Sequence, residues 1–338
     1  MKKNAIGILS AVGMLLLIID SKTAIHGAKD GIILCIGTVI PSLFPLLVIS
    51  GFLCHYLSGV SLPILQPLSR LCGIPKGSVK LLILGFLGGY PVGALNVERA
   101  ELSGALNKDT AKRMLGFCNN AGPAFIFGMA GSLFKNSGVA WFLWLIHIIS
   151  AILVGILLPG KTTQSCKLCK NTEVSLLEEI ERSAKTMAII CCWIVLFRVV
   201  ISFCKRWFIW LFPLEFQVLF TGIVELSNGV LGLISILNQG LRFILSSVML
   251  GLGGICVTMQ TVSITGRLGT GYYFPGKLLQ GLFSFILSVL VQPMLFSGAE
   301  KCNISCLPLG LAIVVITVIT LILHKNKNNS RIMVPNLV

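Results

Sequence analysis

The chain has 338 residues, 55% hydrophobic and only 12% charged, with a formal net charge of +15. Soluble domains carry about 25% charged residues, so a water-facing globule cannot hide this much apolar surface, and the composition predicts an all-α polytopic integral membrane protein. The apolar runs are too long and continuous for outer-membrane strands, and the basic excess reads as loop residues on the cytoplasmic side of a membrane rather than as a nucleic-acid site.

The N-terminus, MKKNAIGILSAVGMLLLIID, has two lysines and an apolar run without a small-residue cleavage site, and reads as an uncleaved spanning helix over 4–20. Apolar segments follow at 31–57, 79–97, 113–134, 138–159, 184–204, 206–223, 240–264, 274–297 and 304–324. At roughly 20 residues per span this gives about eight to ten membrane segments. Two are interrupted, 79–97 by Gly88, Gly89, Pro91 and Gly93, and 240–264 by Gly251, Gly253 and Gly254. Broken apolar segments at corresponding places in two halves point to a transporter site. Ala28–Phe52 aligns without gaps on Ile180–Cys204. Pro67–Pro75 then matches Gly222–Val230 as an amphipathic connector, and Leu84–Ala94 matches Leu250–Gln260. With the basic clusters Lys2–Lys3, Arg70–Lys80, Lys108–Arg113 and Lys161–Lys185 placed inside, this weak repeat predicts two inverted repeats, each with a glycine-broken re-entrant segment. The predicted divisions are a first helix over 1–24, a first repeat over 25–160, a polar loop over 161–183, a second repeat over 184–324 and a basic tail over 325–338.

Chemistry is expected where the helical backbone is interrupted, because unpaired N–H and C=O groups survive at membrane depth only inside protein or beside a wet cavity. GFLGGYPVGA contributes Gly88, Gly89, Tyr90, Pro91 and Gly93 as candidate substrate-binding residues. FCNNAGPAFIFG contributes Asn119, Asn120, Gly122 and Pro123; the two amides hold a polar or carboxylate-bearing solute or serve as helix–helix glue. Glu225, Ser227 and Asn228 place a carboxylate among apolar neighbours, either as a site for a coupling cation or proton or as a surface glutamate. Thr258, Gln260 and Thr261 supply the polar side of the second glycine break, with Arg242 and Arg267 flanking it either to draw in an anion or as interfacial anchors. His147, between tryptophans, reads as part of an aromatic belt, and Glu178, Glu179 and Glu181 as a solvated face. Most of the twelve cysteines lie in apolar segments, where the free thiol packs as a small apolar group. Cys302 and Cys306 share a short loop and can pair if it faces an oxidising space. Cys166 and Cys169 form a lone C-x-x-C without the second pair a zinc site needs. GILLPGKT (Gly155–Thr162) fits the phosphate-loop pattern, but it ends a helix, Pro159 lacks an N–H, and no aspartate follows Asp109, so the match is accidental. No catalytic set is present, and an enzyme is not expected.

GFLGGYPVGA followed by FCNNAGPAFIFG resembles the YlbJ-type sporulation integral membrane proteins. These belong to the nucleoside-recognition, or Gate, domain group, with spore maturation proteins A and B and the membrane part of ferrous iron transport protein B, and are related to concentrative nucleoside transporters. The resemblance covers about residues 25–324. It implies a transporter-like fold of two Gate repeats, a place in the cell membrane or outer forespore membrane of an endospore former, and movement of dipicolinate, a small aromatic dicarboxylate, towards the spore. Where family members often carry a lysine after the first motif, this chain has Leu95 and Asn96, with Arg99 further on. The expected partners are a small-molecule solute and the lipid bilayer, with no nucleic acid and no cofactor; coupling to Na+ or H+ and homo-oligomerisation stay open. The alternatives are a non-transporting component of a sporulation assembly and an ion permease of the iron-transport type.

Overall fold

The computed structural model describes residues 2–56, 63–158, 160 and 175–302, and every regular element among them is helical. After α1 (Lys2–Ile19), α2 (Ser21–Leu34) begins at an Asp20 cap that accepts from the Thr23 N–H at 3.3 Å. A π-helical turn, Cys35–Val39, joins it to α3 (Ile40–Tyr56). Residues Ser21–Leu53 thus form one 33-residue apolar element, starting ahead of the expected residue 31. Gly27 and Gly31 are the reason. A Cβ on either would come within 2.9 Å of Val199 Cα or 2.8 Å of Val195 Cα on α10 (Leu176–Trp207). Small residues four apart let two helices meet backbone to backbone, while Lys29 and Asp30 lie on the exposed side.

After the short α4 (Gln66–Leu71), α5 (Val79–Gly88) and α6 (Val92–Leu102) form a helical hairpin, its tip at Gly89–Pro91 with a cis Tyr90–Pro91 bond. A Cβ on Gly85 or on Gly93 would overlap the Cys118 carbonyl oxygen, which lies between the arms. That oxygen ends α7 (Lys108–Cys118), which is broken at Asn119–Gly122 and resumes as α8 (Pro123–Phe125) and a π turn, Ile126–Ala130. The unbroken α9 (Gly138–Leu157) closes the first half.

The second half has the same order of elements. The long α10 is followed by a hairpin of α11 (Leu214–Val224) and α12 (Leu226–Gly232), then by α13 (Gln239–Leu252) and α14 (Gly254–Thr265), broken at Gly253, then by α15 (Tyr273–Leu295). Three sequence expectations are corrected here. The fold-back of this half lies at 214–232, where a Cβ on Gly229 would overlap Gly222 Cα; the glycine-broken 240–264 segment instead runs on as a 27-residue element, Gln239–Thr265. Gly222–Val230 is therefore a hairpin tip with Leu226–Val230 buried, not an amphipathic connector. The expected span at 206–223 is divided, because α10 reaches Trp207 and a 3-10 turn, Ile209–Leu211, separates it from α11.

Polar side chains are buried among the apolar core residues, while large apolar side chains cover much of the exterior. Along α15, Tyr273, Lys277, Gln280, Ser284, Ser288 and Gln292 are all buried, whereas Phe274, Leu278, Leu290 and Met294 are exposed. Water would favour the reverse arrangement and lipid favours this one. Among the described residues five elements are long and apolar enough to cross a membrane: Ser21–Leu53, Gly138–Leu157, Leu176–Trp207, Gln239–Thr265 and Tyr273–Leu295. The chain is an all-α polytopic integral membrane protein. Gly155–Leu157, the start of the phosphate-loop match, lies within α9. Lys161 and Thr162, Cys166 and Cys169, Cys306, the expected span at 304–324 and the basic tail lie outside the described residues.

Candidate functional site

Both hairpin tips and both helix breaks meet at one place. Gly89 lies on the first break, where an added Cβ would stand 2.9 Å from the Gly122 nitrogen. The Tyr90 hydroxyl crosses to the second break and donates to the Leu250 carbonyl at 2.7 Å. Gly253, at a φ of +74°, takes a left-handed conformation that a residue with a Cβ rarely adopts. A Cβ on its neighbour Gly254 would stand 3.0 Å from the Gly222 carbonyl and 3.1 Å from that of Ile223, at the second tip. Between these four interruptions is a cavity of about 100 Å³. Gly88, Gly89 and Tyr90 line it from the first tip, Gly122 from the first break, Glu225 and Ser227 from the second tip, and Gln260 from α14. The π turn after α2 contributes Thr38, and α3 contributes Ser42; π turns are frequent at functional sites, but helix-period reading of an apolar run gives no signal for one.

Glu225 is the charged group of this cavity. The residue is 3% exposed and has extended backbone (φ −144°, ψ 115°), which turns the chain between α11 and α12. Its carboxylate oxygens accept from the Ser227 N–H at 2.9 Å and the Asn228 N–H at 2.8 Å. Arg198 of α10 places its Nε 3.8 Å from the carboxylate and donates through Nη1 to Asn228 Oδ1 at 2.8 Å. Asn228 thereby braces the tip. No basic side chain is among the described cavity-lining residues. Hydroxyls, one amide and one carboxylate can bind a solute rich in donors, or a cation that accompanies it.

The remaining sequence candidates lie around the cavity rather than on it. Pro91 closes the first tip, Gly93 packs on the Cys118 carbonyl, and Pro123 opens α8. Thr258 donates back to the Gly254 carbonyl at 2.9 Å, one turn earlier in α14. Asn119 and Asn120 are fully buried. Asn119 Nδ2 donates to Thr261 Oγ1 at 2.8 Å; Asn120 Nδ2 donates to the Phe117 carbonyl at 2.7 Å, and its Oδ1 accepts from Gln280 at 2.8 Å. Both Nδ2 groups and Asn120 Oδ1 thus have protein partners, the Phe117 carbonyl at the break among them, while Asn119 Oδ1 is buried without a hydrogen-bond partner.

Four side chains differ from their sequence reading. His147 is buried, not interfacial, and its Nε2 accepts from the Ala121 N–H at 2.9 Å, serving the backbone of the first break. Arg242 is buried and donates to the carbonyls of Leu133 at 2.6 Å and Ile236 at 2.6 Å, gathering chain ends instead of anchoring at a lipid interface. Arg113, expected in a loop, does the same for Leu158 at 2.9 Å, Gly73 at 2.9 Å and Cys72. Glu179 is not on a solvated face: it is 2% exposed and pairs with Arg99 at 2.8 Å, joining the first hairpin to α10. Sequence reasoning missed Lys277 altogether. The signal was the polar series 277, 280, 284, 288 and 292, spaced as one helix face within an apolar run.

No protein-family model matches the chain, and no solved structure matches it. The chain is similar to the sporulation integral membrane protein YlbJ of Bacillus subtilis (strain 168), at 24% identity over 328 residues that cover 82% of this chain and 79% of the relative. That likeness, together with five membrane-length apolar elements, supports assigning the chain to the YlbJ type of integral membrane protein.

Proposed function

We propose that the chain is a membrane transporter or facilitator of a small polar solute, acting in sporulation and carrying dipicolinate towards the forespore. The observation that carries this reading is one cavity lined by both hairpin tips and the first helix break, with the second break joined to it through the Tyr90 hydroxyl on the Leu250 carbonyl. Four interruptions of helical hydrogen bonding at one point make sense around a solute site, since each frees backbone groups that need a partner. The solute follows from the YlbJ-type resemblance. The order of elements, the same in both halves, fits two Gate repeats. A dianion faces the Glu225 carboxylate in this cavity, so its passage requires a compensating positive charge. A coupling Na+ or H+ taken up at Glu225 supplies it.

The test is uptake of labelled dipicolinate by liposomes holding the full chain, with imposed sodium or proton gradients, beside Gln260→Leu and Ser227→Ala. Loss of one cavity hydrogen bond, about 1.4 kcal/mol, lowers uptake roughly tenfold. Absence of uptake in either orientation under either gradient rejects the dipicolinate reading. Unchanged uptake by both folded variants rejects this cavity as the site.

A further inference from the structure

Lys277 is 3% exposed, one turn into α15. Its ammonium donates to the Asn119 carbonyl and, at 2.7 Å, to Gln280 Oε1, and stands 5.0 Å from the centre of the Tyr90 ring. Among the described residues no carboxylate pairs with it. A buried ammonium is costly unless its charge is met. Here it is met by a backbone carbonyl released by a helix break, an amide oxygen and an aromatic face. Such neutral oxygens are the shell that a small inorganic cation takes from unwound membrane helices, and the ring adds a cation–π attraction. The ammonium also joins three separate pieces, namely the break after α7, helix α15, and Tyr90, whose ring walls the cavity and whose hydroxyl reaches the second break.

We propose that Lys277 is a tethered cation: it supplies the positive charge that the first hairpin tip needs, so that Tyr90 is held on the cavity without an inorganic cation at that place. The two tips then carry opposite fixed charges, with Lys277 behind the first and Glu225 in the second. The inference concerns the tip itself and is independent of which solute is carried.

The test is thermal unfolding of the full chain in detergent, in choline, sodium or propylammonium chloride, for the wild type, Lys277→Ala and Lys277→Met. Propylammonium replaces the atoms that the alanine variant lacks; choline has no N–H to donate. The wild type is expected to unfold at the same temperature in all three salts. Lys277→Ala, with two buried acceptors unpaired, is expected to lose more than about 5 °C in choline and to regain at least about half of it in propylammonium. A folded Lys277→Ala that propylammonium does not stabilise overturns the proposal, as does a wild type more stable in sodium than in choline. If Lys277→Ala yields no folded protein, Lys277→Met decides. Its apolar chain fills a similar volume, so wild-type stability shows that the charge is dispensable and overturns the proposal, whereas a loss of more than about 5 °C supports it.

Discussion

The two hairpin tips face the same difficulty and resolve it differently. Each must turn a chain deep inside the protein, where a backbone N–H or C=O without a partner costs several kcal/mol. The first tip is built from Gly88, Gly89, Tyr90 and Pro91 and carries no charge of its own. Its neighbours supply its polar partners: Tyr90 donates to Leu250 and lies over the Lys277 ammonium. The second tip caps itself, because Glu225 accepts from the N–H groups of Ser227 and Asn228 within its own turn. A tip that borrows its partners is coupled to the elements that lend them, whereas a tip that caps itself depends mainly on one carboxylate. Glycine is needed in both for a separate reason, close backbone approach: to the Cys118 carbonyl between the arms of the first hairpin, and of arm on arm in the second.

That close backbone approach carries the largest predicted effect. Gly93→Ala in the first hairpin and Gly229→Ala in the second each put a methyl group into backbone, on the Cys118 carbonyl and on Gly222 Cα respectively. Backbone cannot move aside as a side-chain end can, so each variant is expected to lose more than about 4 kcal/mol, the range of exceptional single mutations. Monodisperse yield in size-exclusion chromatography reads it directly. Gly232→Ala, whose methyl would meet nothing nearer than Val218 at 3.5 Å, is expected to give normal yield. A well-folded Gly93→Ala beside a lost Gly229→Ala would show that the first hairpin is the looser of the two.

Next comes the self-capped tip. Glu225→Gln keeps the shape, but it replaces a carboxylate that accepts two N–H bonds with an amide that accepts through one oxygen, and leaves Arg198 without its counter-charge. Hydrogen bonds to charged groups contribute about 1.5–3 kcal/mol, and loss of a buried partner adds the cost of the stranded charge, so a loss of about 3 kcal/mol is expected. The double variant Glu225→Gln/Arg198→Gln is expected to recover part of it, as a double-mutant cycle of unfolding free energies would show. A cycle without coupling would mean that Arg198 braces Asn228 alone.

The same contrast explains what was legible in the sequence. The first tip was readable because its markers are glycine and proline, which have few other uses in an apolar run. Both breaks were readable for the same reason, at Asn119–Pro123 and at Gly253–Gly254. The second tip was misplaced because a capping carboxylate turns a chain without glycine at the turn, and GIVELSNGV resembles a surface connector when only its hydropathy is read. The lenders were the least legible. Lys277, His147, Arg113 and Arg242 each act on residues far away in the chain, and a lysine near a helix start looks like a membrane-surface anchor unless the polar face that continues it through 280, 284, 288 and 292 is read as well. The early start of α2 was hidden in a similar way, since Gly27 and Gly31 acquire meaning only opposite Val195 and Val199.

The smallest predicted effect separates the two things that the first tip borrows. Tyr90→Phe removes the hydroxyl that donates to Leu250 at 2.7 Å and keeps the ring over Lys277. A neutral hydrogen bond contributes about 1 kcal/mol net, and the Leu250 carbonyl loses a donor beside a break, so a loss of about 1–2 kcal/mol is expected. Tyr90→Leu removes the ring as well and forfeits a cation–π contact of about 0.5–2 kcal/mol together with packing. The difference between the two variants, measured by thermal unfolding in one detergent, therefore isolates the ring. If that difference shrinks to nothing in a Lys277→Met background, the ring acts through the ammonium, and the first tip is held by charge. If it persists unchanged, the ring acts by packing alone, and the two tips differ in their hydrogen bonds but not in their electrostatics.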